Sequence, residues 1–176
     1  NGNVTVTATT PCGTSSAQTL AISVSTQTFT YTGTIVNFTV PSGSTSLVVD
    51  AYGAQGGNNF FCDAQGYSGG KGARIQGTIS VTPGEILGIV VGQMGQSISS
   101  GNENNNGGTA GGGSFLWRVS NSAPLIIAGG GGGGAICGSG GSPPNSPGLD
   151  ASTGTSGTYD RGNYNAGGSG GADGTG

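Results

Sequence analysis

The chain has 176 residues, 41 of them glycine and 7 proline, with four Lys plus Arg against seven Asp plus Glu and no histidine. So little positive charge leaves no basic stripe to neutralise phosphates, which argues against a nucleic-acid partner. The lack of His removes the commonest general base and every Ser-His or Cys-His nucleophile, and no apolar stretch approaches the roughly 20 residues of a membrane-spanning helix.

The chain opens with "NGNVTVTATTPCGTSSAQTLAISV", in which Val4, Val6 and Ala8 share one face and Thr5, Thr7 and Thr9 the other. After a Pro-Cys-Gly turn, Leu20, Ile22 and Val24 resume the period of two, which predicts a β-hairpin with one face buried. Two strands do not bury such a face alone, and residue 1 falls within the first strand, so the chain is expected to be a piece of something longer. This stretch resembles the last two strands of an immunoglobulin-like repeat of large bacterial surface proteins. The resemblance implies a partial domain over residues 1–25 and a second domain over 26–176.

From residue 26 to about 95, short apolar alternations follow one another: Phe29 and Tyr31; Val36, Phe38 and Val40; Leu47, Val49 and Ala51; Ile75, Ile79 and Val81; Leu87, Ile89 and Val91. Turn chemistry separates them at "TG" (32–33), "PSGS" (41–44) and "TPGE" (82–85). Nothing has a helical period, so the expectation is an all-β sandwich or jelly roll. Asp50 falls on the strand face opposite Leu47, Val49 and Ala51, where a solvated or turn-bonded carboxylate is expected.

Beyond residue 107 glycine dominates, and only "SFLWRV" (114–119) and "APLIIAG" (123–129) read as strands. Directly after the second comes a run of six glycines, 129–134. Gly129, Gly131 and Gly134 formally satisfy a phosphate-binding GxGxxG, but any such run does, and "AICGSGGSPPNSPG" does not form the helix that must follow. The Walker pattern fails because Gly72 follows Lys71 and Gln65 stands where its first glycine belongs; Asp173 is one place out of register with a calcium-binding glycine repeat. No cofactor is expected. With neither a CxxC pair nor a His, no metal site is expected either. Cys62 and Cys137 are the pair available for a disulfide in an extracellular chain, leaving Cys12 to pair elsewhere; buried free thiols are the alternative.

The remaining readings of the glycine runs are a flexible hinge or tether and a packed scaffold. An extended three-fold helix has no internal hydrogen bonds, so each backbone N–H and C=O points outward. Where the residues are glycine, neighbouring helices approach until their backbones bond to one another, and every buried group finds a partner. Glycine clusters recur at 53–57, 66–72, 92–95, 107–113, 129–134, 138–141 and 167–176, most beside a strand. Their recurrence beside apolar strands favours the packed scaffold, with the six glycines as one extended helix that begins where a core strand ends.

Three blocks, "FTYTGTIVNFTVPSGSTSLVVDAYGAQGG", "GGKGARIQGTISVTPGEILGIVVGQMG" and "GGTAGGGSFLWRVSNSAPLIIAGGGGGG", together resemble the glycine-rich domain of many bacterial surface proteins. The last two are also similar to the extracellular glycine-rich region of the anaplastic lymphoma kinase and leukocyte tyrosine kinase receptors. The resemblance implies a jelly-roll or tumour-necrosis-factor-like sandwich with polyglycine II helices packed beside it. It also implies an extracellular setting, secreted or on the cell surface.

Scattered carboxylates mark out no catalytic pair, so the expected function is non-enzymatic: an adhesion or binding module displaying loops from a rigid scaffold. Its expected partner is a host or surface glycan or protein, or neighbouring copies of the same chain, without membrane insertion. A spacer or filament subunit is the alternative, with ice binding and phage tail-tip receptor binding behind it. The candidate loops are 58–67, 96–108 and 142–165, where Tyr67, Tyr159, Arg161 and Tyr164 are the candidate contact residues.

Overall fold

The computed structural model describes residues 2–22, 25–60, 67–99, 107–134 and 148–152. Every regular element among them is a strand. Strand β1 (Gly2–Val6) pairs antiparallel with β4 (Gln18–Ile22), and inside that hairpin β2 (Thr9–Thr10) pairs with β3 (Gly13–Thr14) across the Pro-Cys turn. Cys12 sits exposed in that turn with a free thiol. No ladder joins these four strands to the later ones.

The later strands form two antiparallel sheets. One has the order β10 (Pro124–Ala128), β9 (Ser114–Arg118), β8 (Ile86–Val90), β5 (Val36–Thr39). The other pairs β6 (Ser46–Tyr52) with β7 (Arg74–Ser80). Alternation along β6 turns Leu47, Val49 and Ala51 inward, and β7 opposes them with Ile75 and Ile79. These side chains pack on Val40, Val81, Leu87, Leu116 and Ile126, so the apolar faces of the two sheets close on one core. Burial of such aliphatic side chains contributes roughly 1.5–3 kcal/mol each and is the main force holding the sheets together. Phe29 adds an edge-to-face contact with Phe38 at 5.8 Å between ring centroids.

The turns follow from glycine's freedom at positive φ. Gly43 (φ 86°) and Gly84 (φ 80°) take the third position of the "PSGS" and "TPGE" turns, closed by hydrogen bonds from Ser44 N–H to the Pro41 carbonyl and from Glu85 N–H to the Thr82 carbonyl. One expected element differs. Phe29 and Tyr31 alternate, but residues 25–35 form no strand, because they find no ladder partner; Tyr31 instead stands half exposed and donates its hydroxyl to Gln93 Oε1 at 2.9 Å.

Glu85 does a second job at that corner. Its carboxylate accepts the Thr82 N–H at 3.0 Å and pairs with the Arg118 guanidinium, which also donates to the Ser80 carbonyl at 2.7 Å. The Thr82 N–H first, and then Arg118, hold the Glu85 carboxyl below its usual value of 4.5. A carboxyl lowered in the folded state lends stability that is fully present above its unfolded value and is lost as pH falls through the folded value. Stability is therefore expected to fall on acidification below about pH 4.5, and Glu85→Gln should flatten that part of a thermal-melt series. An unchanged acid profile in the variant would remove this role.

Candidate functional site

Beyond the sheets, the strands continue as extended glycine-rich segments. Residues 53–58 follow β6, 92–97 follow β8 and 129–134 follow β10, while 68–73 lead into β7 and 107–113 into β9. Residues 148–152 run antiparallel to 129–134. The segments bond to each other, backbone to backbone, in steps of three residues. Gly53 and Gly56 donate to Ala73 and Gly70; Ala54 and Gly57 donate to Gly112 and Thr109. The carbonyls of Ala54 and Gly57 accept from Gly131 and Gly134, both at 2.9 Å, and those of Gln55 and Asn58 accept from Gly95 and Ile98. Each step of three returns the chain to the same side, as in a three-residue helical repeat.

The same period governs the six-glycine run. Its Gly129 and Gly132 carbonyls accept from Ala73 and Gly70 at 2.8 and 2.7 Å, and its Gly131 and Gly134 carbonyls accept from Gly111 and Gly108 at 2.8 and 3.0 Å. Gly132 donates to the Leu149 carbonyl at 2.8 Å. These adjacencies describe two rows of three, with 92–97, 53–58 and 68–73 lying over 107–113, 129–134 and 148–152.

Glycine is required where a column of every third residue faces a neighbouring backbone. A Cβ on Gly53 or Gly56 would lie closer than 3.0 Å to the carbonyls of Gly129 and Gly132, and one on Gly69 or Gly72 would meet those of Gly56 and Gly53. The same holds for Gly92 and Gly95 against Gly112 and Thr109, and for Gly130 and Gly133 against Gly111 and Gly108. At each position a Cα hydrogen points at a carbonyl oxygen, a contact worth about 0.5–1 kcal/mol. Side chains collect in the columns that face outward: Lys71, Gln93, Met94, Gln96 and Ala110.

The end of the bundle farthest from the sheets brings together the described ends of the candidate loops 58–67 and 96–108. Asn59 is fully buried there and exchanges backbone hydrogen bonds with Tyr67, at 2.8 and 2.6 Å. The Phe60 N–H donates to the Ile98 carbonyl, the Asn58 N–H donates to Ser97 Oγ, and Asn58 Oδ1 accepts the Gly69 N–H. Gly134 and Gly108 close the same end. Tyr67, expected as a contact residue, is half-buried here, and Phe60 stands exposed beside it. The other sequence-derived candidates, Tyr159, Arg161, Tyr164 and the Cys62–Cys137 pair, lie outside the described residues.

Two adjoining open clefts flank the bundle, of about 370 and 320 Å³. Gln93, Met94, Gln96, Thr109 and Ala110 line the first, and Tyr31, Thr34 and Ile35 the second; among the described residues no carboxylate, amine, guanidinium or thiol lines either. Among the described residues no group of His, Cys, Asp or Glu is arranged to hold a metal. The expectation for Asp50 was incomplete. It is neither simply solvated nor turn-bonded: Arg74, on the paired strand, grips it through Nε at 2.9 Å and NH2 at 2.8 Å, and Tyr52 donates its hydroxyl at 3.0 Å. Arg74 holds the Asp50 carboxyl below its ordinary value, and the bond to Asp50 raises the Tyr52 hydroxyl. With every partner satisfied on an exposed sheet face, this cluster braces two strands.

No model of a known protein family matches the chain, and no curated protein sequence matches it.

The column rule separates neighbouring glycines. Gly131 is buried and its Cβ would strike the Gly70 carbonyl, whereas a Cβ on Gly129 meets nothing nearer than Ala151 Cβ at 3.8 Å. Gly131→Ala should therefore cost about 1–3 kcal/mol, and Gly129→Ala should be neutral or stabilising by up to about 1 kcal/mol. Thermal unfolding of the two variants checks this; equal losses would contradict it.

Proposed function

We propose that the extended segments are polyglycine II helices in a hexagonal array beside a jelly-roll sandwich, and that this module of a large extracellular bacterial protein works in adhesion or binding, without catalysis. The three-residue recurrence of the inter-segment bonds supports the helical reading. The observation that carries the functional one is the convergence of the bundle's outer end on Asn59, Tyr67, Ile98 and Gly134. There the connections between successive segments start and finish on a braced platform, and recognition concentrates on loops held by rigid elements. Clefts lined by amide, hydroxyl and aliphatic groups offer contact surface and no acid–base pair. The partner is a surface glycan or protein.

Phe60, about half exposed at this end, is the anchor to test, since aromatic side chains dominate binding energy at such surfaces. Phe60→Ala is expected to weaken attachment of the isolated chain to bacterial or host-cell surfaces about tenfold, with the unfolding temperature unchanged. Undiminished attachment, or attachment lost only together with the fold, would remove the outer end as the contact surface.

A further inference from the structure

The four-stranded sheet turns Leu87, Leu116 and Ile126 into the core, so the residues between them face outward. Ile127, Phe115 and Val90 stand opposite one another there on β10, β9 and β8. Two residues along β9, Trp117 stands opposite Gly88. Its indole lies on that glycine, where a Cβ would run into the ring, so one ring face is seated on the strand and the other is turned outward. Phe115 is seated in a similar way beside Gly113, whose Cβ would come within 3.2 Å of the ring, and it remains 43% exposed. Apolar side chains that could have been buried thus line the outside of the sandwich.

This face runs without a break into the second cleft, where Val90 and Ile35 meet Tyr31 and Gln93. The Tyr31 hydroxyl donates to Gln93 Oε1 at 2.9 Å, which leaves Gln93 Nε2 as a donor and the Tyr31 oxygen as an acceptor at the cleft wall. Asn37, opposite Gly88 on β5, adds an exposed amide on the other side of the Trp117 ring. The sheets' described ion pairs lie elsewhere, Asp50 with Arg74 on β6 and β7 and Glu85 with Arg118 at the 82–85 turn.

Size and chemistry select the occupant. The sheet is four strands wide and about five residues long, a face of roughly 300 Å². A stable protein interface needs about 800 Å² from each partner, so a second copy seated here would be held weakly. A sugar ring needs far less. One of its faces carries C–H groups of partial positive charge that stack on the negative face of an aromatic ring, while its rim of hydroxyls suits amides and a phenol. We propose that this face and its adjoining cleft bind an uncharged oligosaccharide, stacked on Trp117 and Phe115 and held at its rim by Gln93, Tyr31 and Asn37. The inference rests on the binding-module reading above and adds to it a second surface, on the sandwich.

Trp117 is the one tryptophan in the chain, so its emission reads this site directly. The probes are neutral hexasaccharides of glucose, mannose and N-acetylglucosamine, titrated into the full 176-residue chain with calorimetry run in parallel. At least one is expected to shift the emission to saturation, with the affinity about tenfold weaker in Phe115→Ala and about fivefold weaker in Gln93→Ala, which changes an exposed side chain of the bundle. Val48→Thr, exposed on the other sheet, should bind as the parent does. Heat of binding without any change in Trp117 emission would overturn this site and leave the binding-module reading standing. Neither heat nor emission change with any of the three sugars would overturn the proposal outright. An emission shift that appears on concentrating the protein alone would overturn it in favour of a second copy on the face.

Discussion

The architecture depends on backbones that touch. Where two extended segments share N–H···O bonds and Cα–H···O contacts at once, no Cβ fits between them, as Gly53, Gly56, Gly131 and Gly133 illustrate. Ordering a glycine costs on the order of 1–2 kcal/mol, while a single backbone hydrogen bond returns only about 0.5–1.5 kcal/mol net. One bond per residue therefore barely holds such a segment. Seven backbone hydrogen bonds fall on the six-glycine run, little more than one per residue, so its order also draws on the Cα–H···O contacts and on its continuity with β10.

The sheets supply what glycine lacks. Each of the five segments before residue 134 is continuous with a core strand, so the apolar core fixes where every segment starts and which direction it runs. Register set by Leu47 opposite Ile79 and Ala51 opposite Ile75 carries onward into Gly53 opposite Ala73, Gly56 opposite Gly70 and Asn59 opposite Tyr67. Side chains do at one end what their absence does at the other. Trp117 shows the transition, its ring lying directly over Gly88 on the paired strand.

Much of the sheet region was legible in the sequence. Period-two alternation marked Val36 to Val40, Leu47 to Ala51 and Leu87 to Ile89, and Pro-containing turns with Gly43 and Gly84 marked their ends. Phe29 and Tyr31 carried the same alternation without becoming a strand, since alternation reports a face and pairing needs a partner. The Asp50–Arg74–Tyr52 brace was hidden because the register of β6 on β7 brings those residues together across 24 positions. In the bundle, the glycines at 53 and 56, 69 and 72, 92 and 95, and 108 and 111 carry a visible period of three. That period marks which columns face a backbone. It does not say whose, because one glycine column is chemically identical to another.

The central claim is that glycine segments distant in sequence are bonded directly to one another. The most direct test is measurement of scalar couplings across hydrogen bonds by NMR on labelled protein, from the amide nitrogen of Gly131 to the Ala54 carbonyl carbon and from that of Gly70 to Gly132. Couplings at those pairs, similar in size to those across the β6–β7 ladder, are the expected result. Their absence while the ladder couplings are present would contradict the account and leave the runs as tethers beside a sandwich.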